Sequence, residues 1–442
     1  TCMPIKVLLV IPAAEVFGMF FYLLRPTTVW LLFGTVCGAV LMHCVMEIIY
    51  HFDFRKLFAH RICLGLCTAF AVLLSLAGRY DWYGYDSWVP DAADVESASV
   101  QLGYGDDWVT YGSLEKRKDY NGEEYYGWDY GWGQTEYIFD HMQITDLYPV
   151  LELAENGAAA ARRMRSQAEF YEESGYDGMR YVVQYRMTNG SRKTRTYVVV
   201  MDEAAQEALA SVHDNLEYKT GIYPLLQQER GDLASVYFQQ YNRSKPVKLD
   251  RDGMEHLLQA YQADLMEQTL ESRRKELPLG TIQFRTVQME EAMKWNQAEH
   301  PYEGLEDRCY YPVYPSFART LEALEEAGIS PKLMNEDIIE SVAVYHYAVY
   351  GEDGTYDDSS DTAWNAVYKE PAMIRELAPA LCSTAYLSMN PYYEIVRSGG
   401  TDVTVTMKQE ADEAEPRVIS CELDLNRISE ETAETYQLHP VS

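Results

Sequence analysis

Three long apolar runs open the chain. Ile5–Leu24 carries Lys6 at its edge and Glu15 inside, Thr28–Tyr50 is interrupted only by His43 and Glu47, and Ile62–Gly78 holds no charge. A helix needs roughly 20 residues to cross a bilayer, with about 17 as the lower bound, so each run predicts a transmembrane helix. A secretory signal peptide would give one short apolar run with a small-residue cleavage site, and three runs in series do not fit that. Past Arg79 the apolar positions become periodic. Met179–Thr188 and Thr194–Met201 alternate as strands around the hairpin signal Asn189-Gly190. Ala158–Tyr171, Asp202–His213 and Asp252–Arg273 read as helices, the last with Leu257, Leu258, Tyr261, Leu265 and Met266 on one side. Gly280–Val287 reads as a strand, and Ser316–Ala327 as a helix with Ser316 as N-cap and Gly328 as its stop. Ile338–Tyr350 reads as a long strand, and Trp364–Leu381 as a helix broken near Pro371 and Pro379. Asp402–Met407 with Arg417–Leu425 form a terminal hairpin, and Ser429–Tyr436 a short helix. The fold class expected is three transmembrane helices followed by a large α+β extracellular domain. Its parts are the membrane region 1–79, a juxtamembrane part 80–150, and an α+β region 151–442 with room for two subdomains, about 151–275 and 276–442.

Charge divides the 442 residues at the same place. Residues 1–79 hold six basic and three acidic groups, a net +3, whereas residues 80–442 hold 31 basic and 65 acidic groups, a net −34. A part with so large an acidic excess would repel a nucleic-acid backbone, which excludes a nucleic-acid binder. The linker His51–Arg61 carries Arg55, Lys56 and Arg61 against Asp53. Positive loops stay cytoplasmic, so this loop is expected inside and residues 80–442 outside the cell. The segment Tyr80–Trp88 then fits an aromatic belt at the membrane interface. The chain is expected to be the C-terminal part of a longer membrane protein.

Within the spans, Glu15 sits three residues after Pro12. A carboxylate at that depth must face protein or water. A transport path and a structural hydrogen bond to a neighbouring helix both satisfy this, and the hydrogen bond is preferred. His43 and Glu47, four apart, share a helix face, with Glu47 expected in interfacial water. Gly34 and Gly38 form a G-x-x-x-G that permits close helix contact. Residues 80–150 contain eleven Tyr and five Trp among Gly and Asp, a composition for short strands and tight turns. Trp108, Tyr125, Tyr126, Trp128 and Trp132 are candidates for an aromatic binding surface, against the preferred alternative that they pack the domain on itself and on the membrane. Cys309, Cys382 and Cys421 allow at most one disulfide, and they lack metal-ligand spacing. No phosphate-binding G-x-x-x-x-G-K-[ST], no H-E-x-x-H and no complete calcium loop occurs. No catalytic constellation or metal site is therefore expected, and no cofactor in this chain.

Several stretches together resemble the ABC transporter permease subunits of clostridial-type Gram-positive bacteria. They are Glu47–Phe58 before the last span, Tyr85–Ala92 with Val95-Glu96-Ser97 after it, the hairpin Tyr185–Gly190 with Arg195-Thr196-Tyr197, and Tyr311–Phe317 with Thr320-Leu321. The resemblance implies six spans in the full subunit, a homo- or heterodimeric permease in the cell membrane, and a large extracellular domain whose ligand is unknown. It also implies a separate ATPase chain that binds ATP, for which the loop with Arg55, Lys56 and Arg61 is a candidate contact. Two readings compete: a membrane-anchored sensor or binding protein for a peptide, a glycan or a cationic antimicrobial, where a cationic ligand would suit the charge of −34, and a membrane-tethered hydrolase with an unrecognised site.

Overall fold

The computed structural model describes residues 3–51, 60–85, 87–103, 113–118, 121–129, 133–166, 178–227, 232–299, 310–346, 364–398, 401–410, 413 and 415–438. Arg55, Lys56, Trp108, Trp132, Cys309 and the stretch 347–350 assigned to a strand lie outside them.

The three apolar runs form α1 (Met3–Leu24), α2 (Thr28–His51) and α3 (Arg61–Arg79), each long and apolar enough to span a membrane. The chain continues through β1 (Val95–Leu102), the β2–β3 hairpin (Ser113–Lys118 and Glu124–Asp129), α4 (Gly133–His141) and α5 (Tyr148–Ser166). The β4–β5 hairpin (Gly178–Met187 and Arg192–Val200), α6 (Glu203–Asp214) and α7 (Leu216–Ile222) follow. Next come β6 (Leu233–Gln240), β7 (Arg243–Pro246), α8 (Arg251–Glu267), α9 (Leu270–Lys275), β8 (Gly280–Thr286), α10 (Val287–Glu299), β9 (Tyr311–Val313) and α11 (Ala318–Glu326). The last elements are β10 (Ile339–His346), β11 (Trp364–Tyr368), α12 (Pro371–Leu377), β12 (Leu381–Ser383), α13 (Thr384–Met389), β13 (Thr401–Met407), β14 (Val418–Leu423) and α14 (Glu430–Thr435). The result is a membrane-anchored α+β protein whose elements fall into two compact units, residues 1–103 with 145–209, and residues 104–144 with 210–442.

In the first unit the helices close on a small-residue core of Val10, Ala14, Ala39, Cys67 and Ala71. Leu8, Val16, Leu23, Val29, Ile62 and Leu66 stay exposed, the faces that lipid covers. The domain part is a three-stranded antiparallel sheet in the order β1-β4-β5. The predicted turn is present: the Gly190 N–H donates to Met187 O at 2.8 Å, and Gly190 takes φ +80°, where a Cβ would be strained. Helix α5 covers the sheet. It buries Val150, Leu153, Ala154 and Ala158, lays Gly157 against the Tyr197 ring, and accepts the Tyr181 hydroxyl on Val150 O at 3.1 Å.

The second unit holds a four-stranded sheet, β7-β6-β8-β9, and a five-stranded one, β11-β10-β13-β14-β12, with antiparallel neighbours throughout. Three sequence expectations are corrected here. The helix expected over Asp252–Arg273 breaks at Gln268. There the Lys219 ammonium, which is buried, takes the carbonyls of Met266 (2.7 Å) and Gln268 (2.5 Å), and Thr269 starts α9 with a capping box to Ser272. The helix expected from Trp364 begins only at Pro371. Residues 364–368 pair with β10 as an edge strand, Val342 opposite Tyr368, and their alternating burial is the period of a strand. Ser316 is not the N-cap of α11. Phe317 holds that position without a side-chain cap, and the Ser316 N–H donates to Glu276. The terminal hairpin is present, with Val403 opposite Cys421, and Ser429 caps α14.

Candidate functional site

The intramembrane polar residues gather into two networks. At one end of the bundle, Glu47 of α2 is fully buried. Lys6 of α1 donates to its Oε1, the Nδ1 of His60 lies 3.0 Å from the same oxygen, and His43 Nε2 lies 3.6 Å away. The i,i+4 spacing of His43 and Glu47 placed both on one helix face, but Glu47 is not left to interfacial water. Antiparallel packing brings a lysine from the start of α1 and a histidine from just before α3 to the end of α2, and these replace the water a carboxylate would need. Arg61 follows at the start of α3, at this same end.

Farther along the bundle, Glu15 of α1 accepts the Ser75 hydroxyl of α3 at 3.0 Å, and Ser75 is 3.0 Å from the Thr35 hydroxyl of α2, which also reaches Leu31 O. One hydroxyl chain thus joins all three helices. It depends on close helix approach. A Cβ on Gly18 would meet Thr35 Oγ1 at 2.3 Å, one on Gly34 would meet Phe17 O at 2.6 Å, and one on Gly38 would meet Phe17 Cβ at 2.6 Å. Gly34 and Gly38 are therefore where α2 receives α1, and Gly18 is a third such position on the opposite helix.

Glu15 also lines a cavity of about 530 Å3 where the helices meet the domain part of the first unit. The helices contribute Glu15, Met19, Tyr22, Leu31, Leu74, Ser75, Gly78 and Arg79; the domain contributes Gly157 and Ala161 of α5 and Thr196, Tyr197 and Val198 of β5. That volume is in the range of small-molecule sites, and apolar walls with a few converging polar groups are their usual lining. Two buried atoms on this lining, Glu15 Oε1 and Arg79 Nε, have no hydrogen-bond partner among the described residues. An unsatisfied buried polar atom costs about 1–3 kcal/mol, so a ligand or water that meets both is favoured there. Sequence reasoning singled out Glu15; Arg79, Ser75 and Thr35 were missed, because a lone hydroxyl or a terminal arginine on an apolar helix gives no pattern until the helices are packed.

The aromatic candidates are placed differently. Tyr125, Tyr126 and Trp128 belong to β3. The backbone of Tyr126 is clasped by the Asn296 amide at 2.8 Å in both directions, and its ring meets Trp295 edge-on at 5.5 Å with Lys116 over both rings. Tyr126 is thus engaged by α10, within its own unit.

A third polar cluster, unheralded in the sequence, lies in the second unit around Arg273, which is 1% exposed. Its Nη1 is 3.3 Å from His213 Nε2 and from Tyr223 OH, while His213 Nδ1 is 3.1 Å from Asp214, which also accepts the Leu270 N–H at 2.7 Å. With an arginine facing Nε2, the imidazole accepts there and donates from Nδ1 to Asp214. Burial opposes ionisation of Asp214, but the His213 and Leu270 donors prevail and hold its carboxyl below the usual range. The Asp-His pair resembles a catalytic relay in outline only. Its far end meets a guanidinium rather than a nucleophile, so it orders the junction of α6, α7 and α9. Cys382 and Cys421 are buried free thiols. Cys421 lies opposite Ser383, so adjacent Cys382 faces the other side of the sheet, and the two thiols pack in different clusters. Among the described residues, no group of three or more His, Cys, Asp or Glu side chains is placed to hold a metal ion.

Fold and site define a membrane-anchored α+β protein with a polar-floored cavity at the base of its anchored domain. Residues 185–328, about a third of the chain, match the family model described as a domain of unknown function, DUF6449. No curated protein and no solved structure matches the chain.

Proposed function

We propose that this chain is the permease subunit of an ABC transporter, of the exporter type, working with a separate ATPase chain and carrying its domain on the extracellular side. The observation that carries the reading is the pair of polar networks inside an apolar three-helix bundle, one at each functional end. Charged groups in a span are costly and are retained where they line a path or couple a motion. The Glu47 cluster ties the ends of all three helices beside the basic 51–61 loop, the side to which positive charge assigns the cytoplasm. Glu15 and Arg79 lie on the cavity at the opposite, domain side. Nucleotide-driven closure of the ATPase would act on the loop, and rigid helices would carry the change to the cavity, a two-state transition biased by nucleotide. Hydrolysis belongs to the ATPase, and the chain itself serves no catalytic step.

The test is co-expression with any P-loop ATPase that a neighbouring gene encodes. Co-purification is expected, with ATPase activity that falls at least fivefold in an Arg55→Glu/Lys56→Glu variant. Failure to co-purify, or unchanged activity and topology in that variant, counts against the permease. The cavity also favours a second reading, a membrane-anchored receptor. In that case a ligand would protect Glu15 and Arg79 with the same affinity whether or not an ATPase is present.

A further inference from the structure

The β4–β5 hairpin departs from the charge of the domain that carries it. Residues 178–201 hold Arg180, Arg186, Arg192, Lys193 and Arg195 and no acidic residue, within a segment 80–442 whose net charge is −34. Among the described residues, no carboxylate lies within ion-pair distance of Arg180, Arg186, Lys193 or Arg195. The hairpin's position explains its charge. Strand β5 lines the junction cavity through Thr196, Tyr197 and Val198, beside Gly78 and Arg79 at the end of the last span. One residue farther toward the hairpin tip, the Arg195 guanidinium stacks over Tyr85 (4.4 Å) and Trp88 (4.9 Å), and the Lys193 ammonium stands over Trp88 at 4.8 Å. Tyr197 donates its hydroxyl to Trp88 O at 2.8 Å, fixing the strand to this segment.

The segment itself is built to hold aromatic rings outward. Asp81, at φ +51°, accepts the N–H groups of Tyr85 and Ser87 and the Ser87 hydroxyl, closing a tight turn immediately after α3. Trp82, Tyr83 and Tyr85 are left 60–71% exposed on that turn. Exposed Trp82, Tyr83 and Tyr85 at the end of a span, with cations stacked on Tyr85 and the half-buried Trp88, match the chemistry of a headgroup layer: rings at the hydrocarbon boundary and cations at the phosphates.

We propose that the Tyr80–Trp88 turn and the β4–β5 hairpin together form a docking surface for anionic phospholipid headgroups of the leaflet into which α3 emerges. The occupant is the membrane surface itself, chosen by charge complementarity and by continuity with the span. The acidic remainder of the domain is repelled by the same surface. This inference needs only that the three helices cross a bilayer, and holds for a permease or a receptor alike.

The experiment is amide hydrogen exchange on the full chain in lipid nanodiscs. Discs of pure phosphatidylcholine are compared with discs containing 30% phosphatidylglycerol. Exchange over 186–196 is expected to slow at least threefold in the anionic discs, and to return to the phosphatidylcholine rate in 0.5 M NaCl. The variant Arg186→Ser/Lys193→Ser/Arg195→Ser should lose the difference while the Tyr181–Tyr185 amides of β4 remain protected, which shows that the sheet is folded. Equal exchange in the two membranes overturns the proposal, as does a difference that survives in the variant. Protection by 10 mM inorganic phosphate in phosphatidylcholine discs, equal to that from phosphatidylglycerol, also overturns it, since the hairpin would then be reading a free anion.

Discussion

Glu47 shows how a single residue changes meaning between sequence and structure. Its spacing from His43 was legible, because four residues make a helix face. Its main partner was not, because Lys6 lies 41 positions away and only antiparallel packing of the helices brings it close. Removing one member of a buried pair leaves the other charge uncompensated. Lys6→Met is therefore expected to cost about 3–5 kcal/mol, and Lys6→Met/Glu47→Leu to recover most of it. Unfolding of the full chain in detergent, followed over the helical signal, measures both. Gly38→Leu is expected to lose about 1–3 kcal/mol by forcing α2 off the Phe17 ring and Ala14. Cross-linking between cysteines introduced in α1 and α2 would report the separation; unchanged cross-linking would show that the glycine is not needed for close approach.

At the scale of elements, strong periodicity was reliable and boundaries were not. The β4–β5 hairpin could be read from alternation plus Asn189-Gly190, since strand period and turn chemistry are both local. The break between α8 and α9 could not. An apolar stripe runs through it, and the interruption comes from Lys219, on α7, capping the last carbonyls of α8. Burial lowers the pKa of the Lys219 ammonium, and the Asp214 carboxylate nearby works against that shift. Lys219→Met leaves two carbonyls without this donor and is expected to destabilise the second unit by about 1–3 kcal/mol, read in chemical denaturation. The 364–368 strand was misread for a related reason: a five-residue edge strand followed by a helix carries too few periods for its pattern to decide.

For the whole molecule, the two units share a vulnerability to alkali. Burial pushes the Cys382 and Cys421 thiols from the ordinary 9.0 up to about 12, and the Tyr386 and Tyr436 phenols from 10.0 to about 12. Burial likewise raises Tyr181, Tyr185 and Tyr197 in the first unit. Each group keeps its proton longer in the folded chain than in the unfolded one, so the folded state binds more protons as pH rises. Stability from these groups is complete below about pH 9 and declines progressively toward pH 12 and beyond. Denaturant midpoints at pH 8, 10 and 11 should fall in that order, and a flat profile would contradict the buried placement. In a variant retaining only Cys382 and Cys421, maleimide at pH 8 should label neither thiol until denaturant is added.

The sequence by itself determined that three helices cross a membrane, that an α+β domain of strongly acidic charge follows, and where its best hairpin turns. Those features rest on local physics: continuous apolar length, short-period alternation and turn residues. Tertiary structure alone decided that Lys6, His60 and Glu47 form one cluster, that Thr35 and Ser75 lead to Glu15, that Arg79 shares a cavity with it, and that a basic hairpin sits beside the aromatic turn after the last span. Each of these joins residues far apart in the chain, and contacts of that kind are set by how helices and strands pack, which no local pattern encodes. The net charge of −34 was correct as a sum and silent on placement; folding set the cations of the hairpin beside the end of the span.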